Sequence, residues 1–363
     1  MHVTKIKLGL VGLGVIGQMH LKVVAGMPHV SIVGVCDVRP ELVQSTAAQY
    51  GITHAYTNTD DLFANPELDG VVLALPANLR ADLGVRAFAA GKHVLTEKPV
   101  AMNATEVRRL ILARDTSPIP GRIGASCSCR YHGLPSARVV KDFVATGALG
   151  HLRVVRVRAV LAAPPVPPFN PPPIWRLNKA LNGGGILMNW GHYDTDYLFG
   201  VLGWRLQPKR VMARTFGNIA AYPTYVHPAS DAETHIVAFV DCLDTMNGKP
   251  AVFTYERGEF TTSATDEAWQ IIGDRGTLRL WMKEKVGKQL WLDHPTSKGT
   301  VTELLWEGDE DWSQQHGMPI KDFAEAIRDG RAPTTSLERG LIIQSMFDAM
   351  YRAADSGRSE EVV

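Results

Sequence analysis

The chain has 363 residues, with 38 Lys and Arg against 37 Asp and Glu, 45% apolar residues and a mean hydropathy of −0.05. These values exclude a wholly disordered chain, show no basic excess for nucleic acid, and suit two domains. Four cysteines cannot form a disulfide framework, and no apolar run nears the roughly 20 residues of a membrane helix, so a cytoplasmic protein is expected.

Ile6–Val11 is predicted as a buried strand and Val15–Met27 as a helix. Lys5 and Lys7 before the apolar run Leu8–Ile16 imitate a secretory leader. Glycines at 9, 12, 14 and 17, followed by polar residues rather than a small-residue cleavage site, fit a strand entering a glycine turn better. Ser31–Cys36 reads as a strand, and Pro40–Tyr50 as a helix with proline in its first turn. Gly70–Leu75 reads as a strand, Asn78–Ala90 as a helix stopped by Gly91, and His93–Leu95 as a short strand. Asn103 caps a helix over Ala104–Arg114, with Glu106 in capping-box position, and Ile123–Cys127 is the next strand. Strands alternating with helices predict βαβ units and a parallel sheet over residues 1–126.

Residues 127–363 have a different texture. Pro135–Thr146 is a helix stopped by Gly147, and His151–Leu161 a strand with Arg153, Arg156 and Arg158 on a solvated face. Strand-like runs follow at Arg210–Thr215, Thr234–Val240, Ala251–Tyr255, Ala268–Ile272, Thr277–Leu280 and Val301–Leu305. Two helices close the chain, at about Gln314–Arg328 and Leu337–Ala354. This predicts an α+β domain with a large, mostly antiparallel open sheet. The proline-rich run 164–173 cannot join a central strand and fits a stiff loop better than a linker.

Gly12, Gly14 and Gly17 fit G-x-G-x-x-G between a strand and a helix, the fingerprint of a Rossmann domain. The first glycine makes the turn, the second lets backbone approach a pyrophosphate, and the third packs helix on strand. Val15 and Ile16 complete the phosphate turn. Asp37, twenty residues past Gly17, is placed to take ribose hydroxyls and to repel a 2′-phosphate, which favours NAD over NADP. Arg39 softens that preference. Leu75, Pro76 and Asn78, between a strand and its helix, are further expected cofactor contacts, as are Glu97 and Lys98. Glu97-Lys98-Pro99 follows a strand, at the edge where open α/β sheets bind ligands, and a lysine there can exchange a proton with a hydroxyl.

Gly183-Gly184-Gly185 is predicted to open a helix running to about Leu202. Asn189, Tyr193 and Asp196 share one face of it, and His192 points about 100° away from Tyr193. Cys127-Ser128-Cys129 lacks the spacing of a zinc site, and no metal set is expected.

These three motifs, with Asp322–Ile327 and Pro333–Ser336, resemble the Gfo/Idh/MocA oxidoreductases, the glucose–fructose oxidoreductase and inositol dehydrogenase family. The resemblance implies a dehydrogenase or reductase acting on a CH–OH group of a sugar, glycoside or cyclic polyol. It implies a C-terminal domain that binds substrate and joins subunits into a homodimer or homotetramer. Lys98 would bond the reacting hydroxyl. Where many members carry Asp-x-x-x-His, this chain has Asn189 and Tyr193, so Tyr193 is the expected proton partner and His192 the reserve. Arg130, Trp175, Arg176, Asn189 and Tyr193 are expected at the substrate. The alternatives are an enzyme that keeps and recycles its nucleotide, or a non-catalytic NAD-sensing regulator.

Overall fold

The computed structural model describes residues 5–217, 220–282, 286–313 and 315–363. The chain divides into two compact units, residues 1–130 with 313–341, and residues 131–312 with 342–363.

The first unit alternates β1 (Ile6–Val11), α1 (Val15–Val24), β2 (Val30–Cys36), α2 (Pro40–Tyr50), β3 (His54–Tyr56), α3 (Thr59–Ala64), β4 (Gly70–Leu73), α4 (Ala77–Ala89), β5 (His93–Thr96), α5 (Ala104–Asp115) and β6 (Gly124–Ser126). Its parallel sheet has the order β3-β2-β1-β4-β5-β6. Strands covered on both faces need continuous apolar runs, and all four residues of β4 are buried. The helices start and stop on chemical signals. Asn103 Oδ1 accepts the Glu106 N–H at 2.9 Å, and Gly51 ends α2 at φ +64°. β3 and α3 are too short and polar to stand out in the sequence.

The second unit contains α6 (Pro135–Ala145), β7 (Leu152–Ala162), α7 (Lys179–Asn182), α8 (His192–Val201), β8 (Leu206–Phe216), β9 (His235–Asp244), β10 (Lys249–Thr261), β11 (Asp266–Gly273), β12 (Thr277–Leu280), β13 (Lys288–Thr296), β14 (Gly299–Gly308) and β15 (Glu360–Glu361). They form a nine-stranded sheet in the order β14-β13-β12-β11-β7-β10-β9-β8-β15. Only the β7–β10 pairing is parallel among the described residues. β13 escapes the sequence because Lys288, Asp293, His294 and Pro295 interrupt its apolar pattern. Lys288 is nevertheless fully buried, with its ammonium 2.8 Å from Glu310.

Residues 127–363 do not all belong to the second unit. Residues 127–130 and 313–341 join the first. The reason is the apolar stripe of α9 (Met318–Asp329): Ile320, Phe323 and Ala324 pack into one core with Leu8, Leu10 and Leu95. Gln314, placed in this helix by the sequence, lies outside the described residues, and the helix begins at Met318. α10 (Leu337–Ser356) starts in the first unit and continues in the second, where Ile343, Met346, Phe347 and Met350 are core residues. Among the described residues no helix is long and apolar enough to cross a membrane.

Candidate active site

The glycine turn is shaped by close backbone approach. Gly12 has φ +92°, and a Cβ there would lie 2.3 Å from the Ala74 carbonyl oxygen. A Cβ on Gly17 would lie 2.0 Å from the Gly12 carbonyl oxygen, whereas one on Gly14 would meet open space. Gly14 is the N-cap of α1 without a side-chain cap, and the first helical bond is from Gln18 N–H to the Gly14 carbonyl. The N–H groups of Val15, Ile16 and Gly17 therefore have no intrahelical partner and present the positive end of the helix to an anion.

Asp37 follows β2. Its carboxylate accepts the Leu13 N–H at 2.9 Å and the Arg39 N–H at 3.2 Å, and Arg39 adds Nε and Nη2 bonds at 2.9 and 3.0 Å. Burial alone would raise its pKa; the Arg39 bonds and the two N–H groups hold it below the usual carboxylate value. Asp37, Arg39, Leu75 and Pro76 line one cavity of about 760 Å³. Asn78, expected beside them, lies exposed on α4 and is not among the residues lining that cavity.

Lys98 follows β5, and the Lys98–Pro99 peptide is cis. The Glu97 side chain points inward and is 3% exposed. Its Oε1 accepts from His20 Nε2 at 2.9 Å and from Arg130 Nη2, and its Oε2 accepts the Lys98 N–H at 3.1 Å. Burial opposes the charge, but Arg130 outweighs it with His20 and holds the carboxyl well below its usual range. The Glu97 carboxylate, expected near the cofactor, points into the turn. Arg130, expected at the substrate, is 6% exposed and engaged with Glu97, because a buried carboxylate needs a cation nearby. His20 and Arg80 were not singled out by sequence. His20 lies three residues after Gly17, on the same inner face of α1.

In the second unit the glycine triplet is tight because a glutamate and a tyrosine press on it. A Cβ on Gly185 would lie 2.0 Å from the Glu233 carbonyl oxygen, and one on Gly184 2.0 Å from the Tyr351 hydroxyl. The Glu233 carboxylate accepts the Gly185 and Leu187 N–H groups, each at 3.0 Å, and the Tyr351 hydroxyl at 2.9 Å. It caps the segment from far away in sequence, and burial pushes its pKa up.

The following helix is not regular. Leu187–Gly191 forms a π turn that runs directly into α8, so the α-helical phasing used for Asn189 does not hold. Asn189 is half-buried within that turn. Tyr193 packs edge-on against Tyr131 and Trp190, at centroid distances of 5.6 and 5.7 Å. His192 instead packs edge-on against Phe347 at 4.9 Å. Asp194 accepts from Arg257 Nη1 at 2.7 Å and from the Tyr255 hydroxyl at 2.9 Å, while Arg257 stacks on Trp190 at 4.7 Å. Asp196 is bonded to His132 Nε2 at 2.7 Å. Trp175 is 48% exposed, and Arg176 is paired with Glu259 between the rings of Phe169 and Phe260. The proline-rich run joins no strand and is tied down by the Tyr225 hydroxyl on the Pro164 carbonyl, at 2.6 Å. All four cysteines are free and buried.

The sequence profile described as "Oxidoreductase family, NAD-binding Rossmann fold" matches residues 6–117, and the GFO/IDH/MocA C-terminal domain matches residues 137–279. The chain is 32% identical to "Uncharacterized oxidoreductase ORF334" of Rhizobium meliloti, over 97% of this chain and 99% of that one. It is 24% identical to inositol 2-dehydrogenase of Rhizobium meliloti strain 1021, over 97% and 98% of the two chains. The fold is shared with a solved levoglucosan dehydrogenase in complex with NADH, at TM-score 0.80 and 19% identity, covering 99% and 100% of the chains. With two domain profiles in order and a relative aligned end to end, this chain belongs to the Gfo/Idh/MocA family and is an NAD-binding oxidoreductase.

Proposed function

We propose that the enzyme moves a hydride between NAD and a ring carbinol or ketone of a sugar, glycoside or cyclic polyol. One observation carries this most directly. β1, β2 and β5 run parallel in one sheet, so the Gly12–Gly17 turn, Asp37 and Lys98 share its C-terminal edge. Relatives named for inositol, D-glucoside and levoglucosan oxidation support the substrate class.

When bound, NAD supplies the hydride acceptor. The N–H groups of Val15–Gly17 would hold its pyrophosphate, and Asp37 its ribose hydroxyls once Arg39 yields. Lys98 Nζ would bond the substrate hydroxyl, lowering its proton affinity, and Tyr193 Oη would take or return the proton. Asn189 orients without ionising, Trp175 offers a face to a sugar ring, and Arg176 lies beside it. A screen of sugars, glycosides and cyclic polyols with NAD, followed by NADH absorbance, is expected to give turnover with at least one ring alcohol. NAD binding with no turnover across the screen would favour a sensor instead.

The open sheet supports assembly as a homodimer or homotetramer. Met212, Val237 and Phe239 are exposed apolar residues on a shallow concavity of about 570 Å³, beside Arg156 and Arg158. Light scattering at a monomer mass near 39.7 kDa would count against assembly.

A further inference from the structure

The turn that carries Lys98 is held by an unusual density of buried charge. Arg80 Nη1 donates to the Glu97 carbonyl at 3.0 Å and to the Pro99 carbonyl, while its Nε bonds the Leu75 carbonyl at 2.8 Å. One guanidinium thus clamps the backbone on both sides of Lys98. A second, Arg130, meets the Glu97 carboxylate, whose other oxygen accepts the Lys98 N–H. His20 completes the set from α1.

His20 is fully buried, and its Nδ1 has no hydrogen-bond partner among the described residues. The Glu97 carboxylate and the Arg130 guanidinium face each other as a buried ion pair, with opposite signs of charge. His316 also faces Arg130, Glu97, His20 and Lys98, and burial with Arg130 pushes its pKa down to about 4. The Cys127 thiol, raised by burial and by Glu97, stays protonated. The ligand-type atoms of His20, Glu97 and Cys127 lie within 4.8 Å of one another. Arg130 already neutralises the carboxylate and Arg80 adds a further positive charge, so another cation there would be repelled.

We infer that His20, Glu97, Arg80 and Arg130 are positioning residues that fix the Lys98 turn, and that the opposed charges of Glu97 and Arg130 bias the proton affinity of the Lys98 ammonium. The inference rests on the reading of Lys98 as the group that bonds the reacting hydroxyl. It predicts effects of opposite sign. Glu97→Gln leaves Arg130 unbalanced, so the limb of the kcat–pH profile that reports Lys98 should move about one unit lower. Arg130→Met removes a cation beside Glu97 and should move that limb higher, and Arg130→Lys should restore it. Both charge-removing variants should lose about tenfold or more in kcat while NADH affinity, read by fluorescence titration, stays near the parent value.

Limbs that stay put, or move the same way, would overturn the inference. Should a charged variant fail to fold, the double variant Glu97→Gln/Arg130→Met removes both charges and should return the limb to the parent position. His20→Gln, which removes the ring bond to Glu97, should lower kcat, and unchanged kcat there also counts against the inference. Lys98→Met run alongside separates the failures. Full turnover in that variant defeats the Lys98 reading, whereas an inactive Lys98→Met with unmoved limbs elsewhere defeats only the positioning role.

Discussion

Glu97 in the first unit and Glu233 in the second are nearly equally buried, at 3% and 4% exposure, yet their carboxyl pKa values shift in opposite directions. Burial favours the neutral form of both. Glu97 meets Arg130, and Arg80 lies nearby, so its charge is stabilised and its pKa falls. Among the described residues Glu233 meets N–H groups and a tyrosine hydroxyl, which soften but do not cancel the cost of burial. The first holds its segment by charge, the second by dipoles and packing. Burial alone therefore does not predict how a buried acid behaves; the formal charge of its partner does.

The two acids also make stability depend on pH in opposite ways. A carboxyl whose folded pKa is depressed stabilises the fold above its unfolded pKa and loses that contribution as pH falls through the folded value. A carboxyl whose folded pKa is raised stabilises below its unfolded value and loses that contribution as pH rises through the folded one.

The largest expected effect is on the Glu97 side. Glu97→Gln should cost about 3–5 kcal/mol at pH 7 by leaving a buried guanidinium unmatched, and the gap should close in acid, where the parent carboxyl also protonates. Urea unfolding at neutral and acidic pH measures this, and a neutral-pH loss below about 1 kcal/mol would break the comparison. Next comes turnover. Lys98→Met should keep NADH binding and lose roughly 100-fold or more in kcat, and Tyr193→Phe should do likewise. His192→Asn should cost far less, since its ring packs on Phe347. Steady-state kinetics decide it, and a silent Tyr193→Phe beside an inactive His192→Asn would transfer the proton role. The smallest effect is on the Glu233 side. Glu233→Gln should stay within about 1 kcal/mol of the parent at pH 7, because it removes an ionisation that burial already penalises. A loss matching Glu97→Gln would show an unrecognised cation beside Glu233.

The alternation of the first unit, its glycine turn and the caps at Pro40 and Asn103 were legible because each is a local signal within a few residues. The nine-stranded sheet was legible in outline, but β13 was hidden by Lys288 and Pro295. Lys98 and Tyr193 stand out as candidates by motif, whereas the residues that hold the surrounding backbone do not. His20 meets Glu97 across 77 positions, and Glu233 caps Gly185 across 48. Such pairings leave no periodic trace. Arg130 shows the same limit, since its ion pair with Glu97 spans 33 positions. The π turn at Leu187–Gly191 was equally invisible, because its residues satisfy an ordinary helical pattern.

The return of α9 to the first unit bears on biosynthesis. Ile320 and Phe323 fill the core around Leu8 and Leu10, so β1 waits for a helix made some 310 residues later. The whole of residues 131–312 is synthesised in between, on the order of 10–40 s at typical elongation rates. Through that interval the nascent parallel sheet exposes an apolar face with its cover missing. Contacts this distant in sequence raise contact order and slow folding. The emerging polypeptide is thus a natural client for chaperones that hold hydrophobic surface until α9 has been made.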